Sequence, residues 1–471
     1  MPVGPMLAAC VAVAALSLLL PSTITFDPFT WSTWGREIVH LRLDTSGGPA
    51  WKPLPVLVDT LFAPLGAADK WVWLVVARAG GLLAVAVAYR LARRLAGRGA
   101  GAIAAGGMLL SSSFLEYLTP FGMSEPLLAG LALLAVERHL DGKYAQTYGL
   151  TFFSLLLRPE AFPFFLGYSV FMWIRVPRSR PLVVGLVASL PMFWLLPDYL
   201  SSGDWLRSTR RARMPTQGGP LLSGNPALAV VESEFNVVVL PIVVGSIIAM
   251  AMAVVDYVKR RQERTVLALS VLCIGWLAEV ALTTQARLGA GDERYLIVSV
   301  ALGCVLAGVG WSRLVNAVAA GRGRWVRMAV IGIAVVGSAP FVGQRLDELS
   351  GTIGEVPYQA HKYGELAQLI DRAGGRDRVL SCAPITADIY QMPAVAWHLG
   401  IHQSDVVIAA GPKGTPAVGR VVALASAGTV FRTRTTRASP LLPAQLGSTE
   451  FRLVATTDQW QILSTCGRPA A

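Results

Sequence analysis

The acidic residue best placed for chemistry is Asp27, in "TITFDPFTWSTWGREI". Before it, Pro5 to Pro21 is nearly all Ala, Val and Leu; after it, the chain is aromatic and amphipathic. A carboxylate at the mouth of a membrane segment can act as general base on a hydroxyl arriving from outside. Asp27 also precedes Pro28, and Asp before Pro is a good helix start. The base reading needs cations nearby, because an anionic lipid leaving group is costly in low dielectric unless paired. The candidates are Lys52 in "WKPLPVL", Arg158 in "LLRPEAFPFF" and Arg294 in "GDERYLIV". Simpler roles compete for each. Lys52 could snorkel, Arg158 could pair with Glu160 across a helix break, and Arg294 could touch a lipid headgroup. Arg207, Arg210, Arg211 and Arg213 form a further basic cluster. Glu116 and Glu125 flank "YLTPFGMS", and Tyr295 follows Arg294.

The elements that must position these residues are membrane helices. The 471 residues are 54% hydrophobic and 15% charged, against roughly 25% charged in soluble domains. Apolar runs recur from Pro5 to Val342 and predict about eleven spans. Tyr144–Leu157 and Pro159–Trp173 are short, separated by Arg158-Pro159-Glu160. Counting them as two spans puts "YRLARRLAGR", "ERHLDGK", "RVPRSR" and "KRRQER" on the cytoplasmic side, so two spans fit the positive-inside rule. The N-terminus is then inside and the C-terminus outside. The first segment lacks a basic start and an Ala-x-Ala cleavage site, so it reads as an uncleaved span. The formal charge of +12 falls mostly in short loops between apolar runs. That pattern speaks against a nucleic-acid partner and for a multi-pass plasma-membrane protein in contact with membrane lipids.

After Val342 the composition changes. "YQAHKYGELAQLIDRAGG" reads as an amphipathic helix. "RVLSCA", "DVVIAA", "RVVALASA", "FRLVATT" and "WQILST" read as short buried strands. The expectation is an all-α polytopic membrane domain over residues 1–343 and a small extracytoplasmic α/β domain over 344–471. Cys10, Cys273 and Cys304 lie in apolar segments and read as inert hydrophobes. Cys382 and Cys466 lie in the polar part, in an oxidising compartment, and are expected to pair. No Cys/His cluster marks a metal site.

"FDPFTWSTWGREI", "WKPLPVLVDTLF", "YLTPFGMSEPLL", "LLRPEAFPFF" and "GDERYLIV", laid out over Pro5 to Val342, resemble the membrane-embedded GT-C glycosyltransferases. That group includes protein O-mannosyltransferases, the lipid A aminoarabinose transferase and actinobacterial arabinosyl- and mannosyltransferases. The resemblance implies a polyprenyl-phosphate sugar donor and a glycan, lipid or protein acceptor. It implies Asp27 as catalytic carboxylate in the first external loop, and Glu125, with Glu116 nearby, as a second acidic position. It places Arg158, Glu160, Arg294 and Tyr295 around the cavity, with Lys52, Arg158 and Arg294 as contacts for the donor phosphate. It names no certain cofactor and leaves a divalent metal ion open. In the GT-C pattern the first-loop motif is usually a run around Asp or Asp-Glu, whereas here Asp27 stands alone before Pro28. The rival reading is a lipid or glycan transporter or flippase, which would bind near the bilayer midplane at broken helices. Here the charges lie mostly toward outer helix ends, and no internal repeat is visible, which favours the enzyme. A cysteine at position 350 is expected to react with an impermeant maleimide on intact cells; reaction only from the cytoplasmic side contradicts this orientation.

Overall fold

The computed structural model describes residues 2–111, 121–215, 218–260, 264–409, 421–422, 427–434 and 451–466. Among the described residues, the apolar runs fold chiefly as helix. The helices that matter below are α1 (Val3–Leu16), α2 (Phe26–Val39), α3 (Pro53–Phe62), α4 (Asp69–Ala96), α5 (Arg98–Leu110), α6 (Glu125–Leu140), α7 (Tyr144–Leu157), α8 (Phe162–Arg175), α9 (Arg180–Trp194), α10 (Leu196–Ser202), α11 (Arg207–Ala212), α12 (Pro226–Val237), α13 (Leu240–Arg260), α14 (Arg264–Gln285), α15 (Ile297–Ala319) and α16 (Arg324–Arg372).

Among the described residues, six helical segments are long and apolar enough to cross a membrane, which makes this a multi-pass membrane protein. The sequence predicts about eleven. Part of the difference is length: α7 and α8 have 14 residues each and α6 has 16, short of the roughly 20 that a perpendicular span needs. The chain does break between α7 and α8. Arg158 is extended (φ −149°, ψ 130°), as the ring of the following proline favours.

Small residues set how closely these helices pack. A Cβ at Gly310 in α15 would collide with the Gly245 carbonyl oxygen in α13, and one at Gly130 in α6 with the Gly80 carbonyl oxygen in α4. Close backbone approach is how membrane helices gain contact when lipid offers no hydrophobic drive.

One unbroken helix, α16, carries the chain from the apolar region past residue 343 to Arg372, with Pro340 and Pro357 inside it. Helix α17 (Arg376–Leu380) and β1 (Ile385–Ala387) follow, then α18 (Met392–Leu399), β2 (Val406–Ala409), β3 (Val421–Val422), β4 (Thr429–Thr433), β5 (Arg452–Thr456) and β6 (Trp460–Ser464). The described strands form one sheet in the order β3-β2-β1-β4-β6-β5. The first four are parallel, and β6 pairs antiparallel with β4 and β5. The expected strand "RVLSCA" is instead helical over Arg376–Leu380. A central parallel strand is buried on both faces and would bury Arg378, whereas the short surface helix leaves it in solvent with Arg376 and Asp377. Of "RVVALASA", only Val421, Val422 and Ala427 are among the described residues. Cys382 and Cys466 are joined by a disulfide, with Cα atoms 5.8 Å apart.

Gly310→Val should lower unfolding stability by about 1–3 kcal/mol, read as a lower melting temperature in detergent. Gly303→Ala, in the same helix with open space at its Cβ position, should leave it nearly unchanged. Equal melting of both variants would show that the α13–α15 contact is not tight.

Candidate active site

Helix α2 presents Asp27. It begins at Phe26 after Thr25, so Asp27 lies in its first turn rather than at the cap. One face of α2 packs on the membrane helices. Trp31 meets Trp73 edge-on at 5.2 Å, and Trp34 lies 5.3 Å from Trp51. Gly35 lets α3 approach so closely that a Cβ there would come within 2.7 Å of the Asp59 backbone. The other face packs on the C-terminal region. Phe29 meets Tyr363 and Trp397 at 5.3 and 5.8 Å. The Trp397 indole donates to Ser32 Oγ (2.8 Å), which donates to Asp69 Oδ2 (2.7 Å). His402 Nδ1 lies 2.8 Å from Glu37 Oε1. Burial pushes the Glu37 carboxyl up to about 7, against the opposing pull of the Asp44 amide and His402.

Around Asp27 the structure gathers charges from five chain segments. Asp27 Oδ2 accepts from Lys52 Nζ at 3.4 Å and from Arg294 Nη1 at 3.2 Å. Lys52 also lies 3.5 Å from Glu125 Oε1 and 3.3 Å from Ser124 Oγ, with the Trp31 ring 5.0 Å away. Arg158 Nη1 lies 3.5 Å from Glu125 Oε1, and Arg158 Nε 3.6 Å from Glu160 Oε2. The Arg158 guanidinium stacks on Tyr295, 3.7 Å from the ring centroid. Arg294 Nε faces Asp292 at 3.5 Å. Burial pulls the Lys52 ammonium below its ordinary value, while Glu125 and Asp27 oppose that shift.

These residues border a cavity of about 1560 Å³. Asp27, Lys52, Arg158, Glu160, Arg294 and Tyr295 line it. Glu125 does not: its carboxylate is 0% exposed and holds Lys52 and Arg158 from behind the wall. Lys52, 6% exposed, is therefore in a buried charge cluster and does not snorkel. Arg158 Nη2 is buried with no hydrogen-bond partner among the described residues, so one donor pair of this guanidinium remains for a ligand. Of the basic cluster at 207–213, Arg207 donates to the carbonyls of Gly47, Gly48 and Pro49 and Arg210 pairs with Asp204. Arg211 reaches the cavity. Glu116 lies outside the described residues. Sequence reasoning did not single out Ile389 and Tyr390, which also line the cavity. They follow Asp388 just past the carboxyl end of β1, where ligands gather in parallel sheets.

The fold is that of the GT-C membrane glycosyltransferases. ArnT from Cupriavidus metallidurans, an aminoarabinose transferase, in its structure bound to undecaprenyl phosphate, aligns with a TM-score of 0.56 and 14% identity over 98% of each chain. Its apo structure aligns at 0.55, with 14% identity over 98% of each chain. An oligosaccharyltransferase of Archaeoglobus fulgidus tethered to an acceptor peptide aligns at 0.46, with 12% identity over 84% of this chain and 63% of that one. No protein-family model and no curated protein sequence matches the chain.

Removing the shared cation should be costly, because a buried pair that loses one partner leaves uncompensated charge. Lys52→Met is expected to destabilise the protein by about 3 kcal/mol, measured as a fall in melting temperature of the purified protein. Unchanged melting would mean that Asp27 and Glu125 do not depend on Lys52.

Proposed function

We propose that this protein transfers a sugar from a polyprenyl-phosphate donor to an extracytoplasmic glycolipid, cell-wall glycan or protein acceptor. In this reading residues 1–343 form the catalytic membrane domain, and residues 344–471 form a domain on the outer side. The observation that carries it is Asp27 on the cavity wall with both cation contacts on Oδ2, which leaves Oδ1 to accept a proton.

The reaction is an inverting displacement. The acceptor hydroxyl gives its proton to Asp27 Oδ1, and its oxygen forms the new bond to the anomeric carbon. The bond from that carbon to the phosphate oxygen breaks, and the electron pair leaves with polyprenyl phosphate. The charge that develops on the phosphate falls beside Lys52, Arg158 and Arg294, where donors already fixed in low dielectric stabilise it most. Tyr295 holds the Arg158 plane, and Glu125 holds Arg158 and Lys52 from behind. Glu125 thus positions cations, and Asp27 is the base. Lys52 places its ammonium between the Asp27 and Glu125 carboxylates, where a bridging divalent ion would otherwise sit, so these residues do not fit a metal centre. The apolar part of the cavity wall, with Leu155, Phe162, Leu190 and Trp194, suits the first isoprene units of the donor.

The test uses membranes supplied with polyprenyl-phospho-mannose and polyprenyl-phospho-arabinose, with released polyprenyl phosphate read by mass spectrometry. Asp27→Asn should lower turnover by about 10²-fold or more while the protein still expresses and folds, its melting temperature falling less than that of Lys52→Met because Lys52 keeps Glu125 and Arg294 keeps Asp292. Turnover within a few-fold of wild type would remove Asp27 from the base role. Arg158→Ala and Arg294→Ala should each raise the donor concentration needed for half-maximal rate. Wild-type donor dependence in both would place the phosphate elsewhere, with Arg211 the next candidate.

A further inference from the structure

Tyr390 is an exposed aromatic residue in a segment that is otherwise buried. It is 56% exposed, while Asp388, Ile389, Gln391 and Met392 on either side are buried. The turn that carries it is pinned. Asp388 Oδ1 accepts the Tyr390 backbone N–H at 2.8 Å, and the Asp388 carbonyl accepts those of Gln391 and Met392 at 3.0 and 2.9 Å. Phe26 supports the ring edge-on, with centroids 6.3 Å apart. Phe26 is the residue before Asp27, and Phe26, Asp27 and Tyr390 all line the same cavity. The C-terminal region thus delivers one rigidly mounted aromatic ring to the wall that carries the carboxylate. The ring meets Phe26 on one side and stays exposed elsewhere although its chain neighbours are buried, which leaves aromatic surface in the cavity open to a ligand.

We propose that Tyr390 is the acceptor platform: its ring stacks against the apolar C–H face of an acceptor sugar and turns a hydroxyl of that sugar toward Asp27. This deepens the transferase reading and rests on it, and it names a carbohydrate as the acceptor. The π-face is electron-rich and attracts the polarised C–H bonds of a sugar ring. The cations that suit the donor phosphate are Lys52, Arg158 and Arg294, whereas Tyr390 offers an uncharged ring, so different groups of the same cavity hold the phosphate and the acceptor sugar. Tyr390 touches substrate only and takes no part in proton transfer.

The test separates binding from turnover. Full-length protein in nanodiscs is titrated with a hexose trisaccharide and a pentose trisaccharide, with contact read by saturation-transfer NMR. Transfer is measured in parallel, with acceptor varied at saturating donor and donor varied at saturating acceptor. Tyr390→Ala should weaken binding of the preferred trisaccharide, and raise its KM, by about 3- to 10-fold, the range of a single aromatic contact. The kcat and the KM for donor should hold. Tyr390→Phe should behave as wild type, since the ring and not the hydroxyl makes the contact. The proposal is overturned if Tyr390→Ala binds the sugar as wild type does, if Tyr390→Phe loses as much as Tyr390→Ala, if the donor KM moves instead, or if wild type binds neither trisaccharide. Sugar binding that depends on Tyr390 without any transfer by wild type would overturn the transferase reading and leave the platform standing.

Discussion

The arrangement depends on one lysine shared by two buried carboxylates. Lys52 reaches Asp27 from one side and Glu125 from the other, and neither carboxylate is exposed enough to be stabilised by water. Two like charges held together in low dielectric repel, and the desolvation cost of each adds to that. The ammonium between them removes the repulsion, while Arg294 and Arg158 complete the set. The contacts, at 3.2 to 3.5 Å, are longer than the 2.7–2.9 Å of a tight charge-assisted hydrogen bond. Such a cluster has room to re-pair its cations when a further anion enters.

Holding this cluster requires α2 to be immobile, and α2 is held on two sides. Its tryptophans lock into the membrane helices, while Phe29, Ser32 and Glu37 engage Tyr363, Trp397 and His402 of the C-terminal region. The segment after the first apolar run is therefore an interior element, although its amphipathic sequence looks like that of a surface helix. The same contact brings the turn at Tyr390 to the cavity wall.

The sequence identified the charged members because ionisable residues are rare in apolar surroundings. Asp27, Lys52, Arg158 and Arg294 stand out for that reason, and the Arg158-Pro159 break was readable from proline chemistry alone. The partnerships were not readable. Nothing in "WKPLPVL" says that Lys52 turns inward between two acids rather than outward to the headgroups, because both choices suit a lysine at a helix start. Glu125 reads in sequence as a second acidic position beside the base Asp27, and only packing shows that one faces the cavity and the other sits behind it. The short helices α7 and α8 defeat span counting, since apolar length alone does not tell a crossing helix from one that packs partway. The helix at Arg376–Leu380 was mistaken for a strand because "VL" before a cysteine has β character, and the charges ahead of it decided otherwise. Tyr390 carried no periodic signal; its meaning comes from its position beyond a parallel strand.

In the proposed function this cation cluster receives the phosphate of a polyprenyl lipid. The most direct measurement compares the affinities of undecaprenyl phosphate and undecaprenol for the purified protein, with the same lipid tail and only the headgroup changed. With charge-assisted contacts contributing about 1.5–3 kcal/mol, the phosphate should bind at least about tenfold tighter, and Arg158→Ala should remove most of the difference. Equal affinity for the phosphate and the alcohol would contradict it.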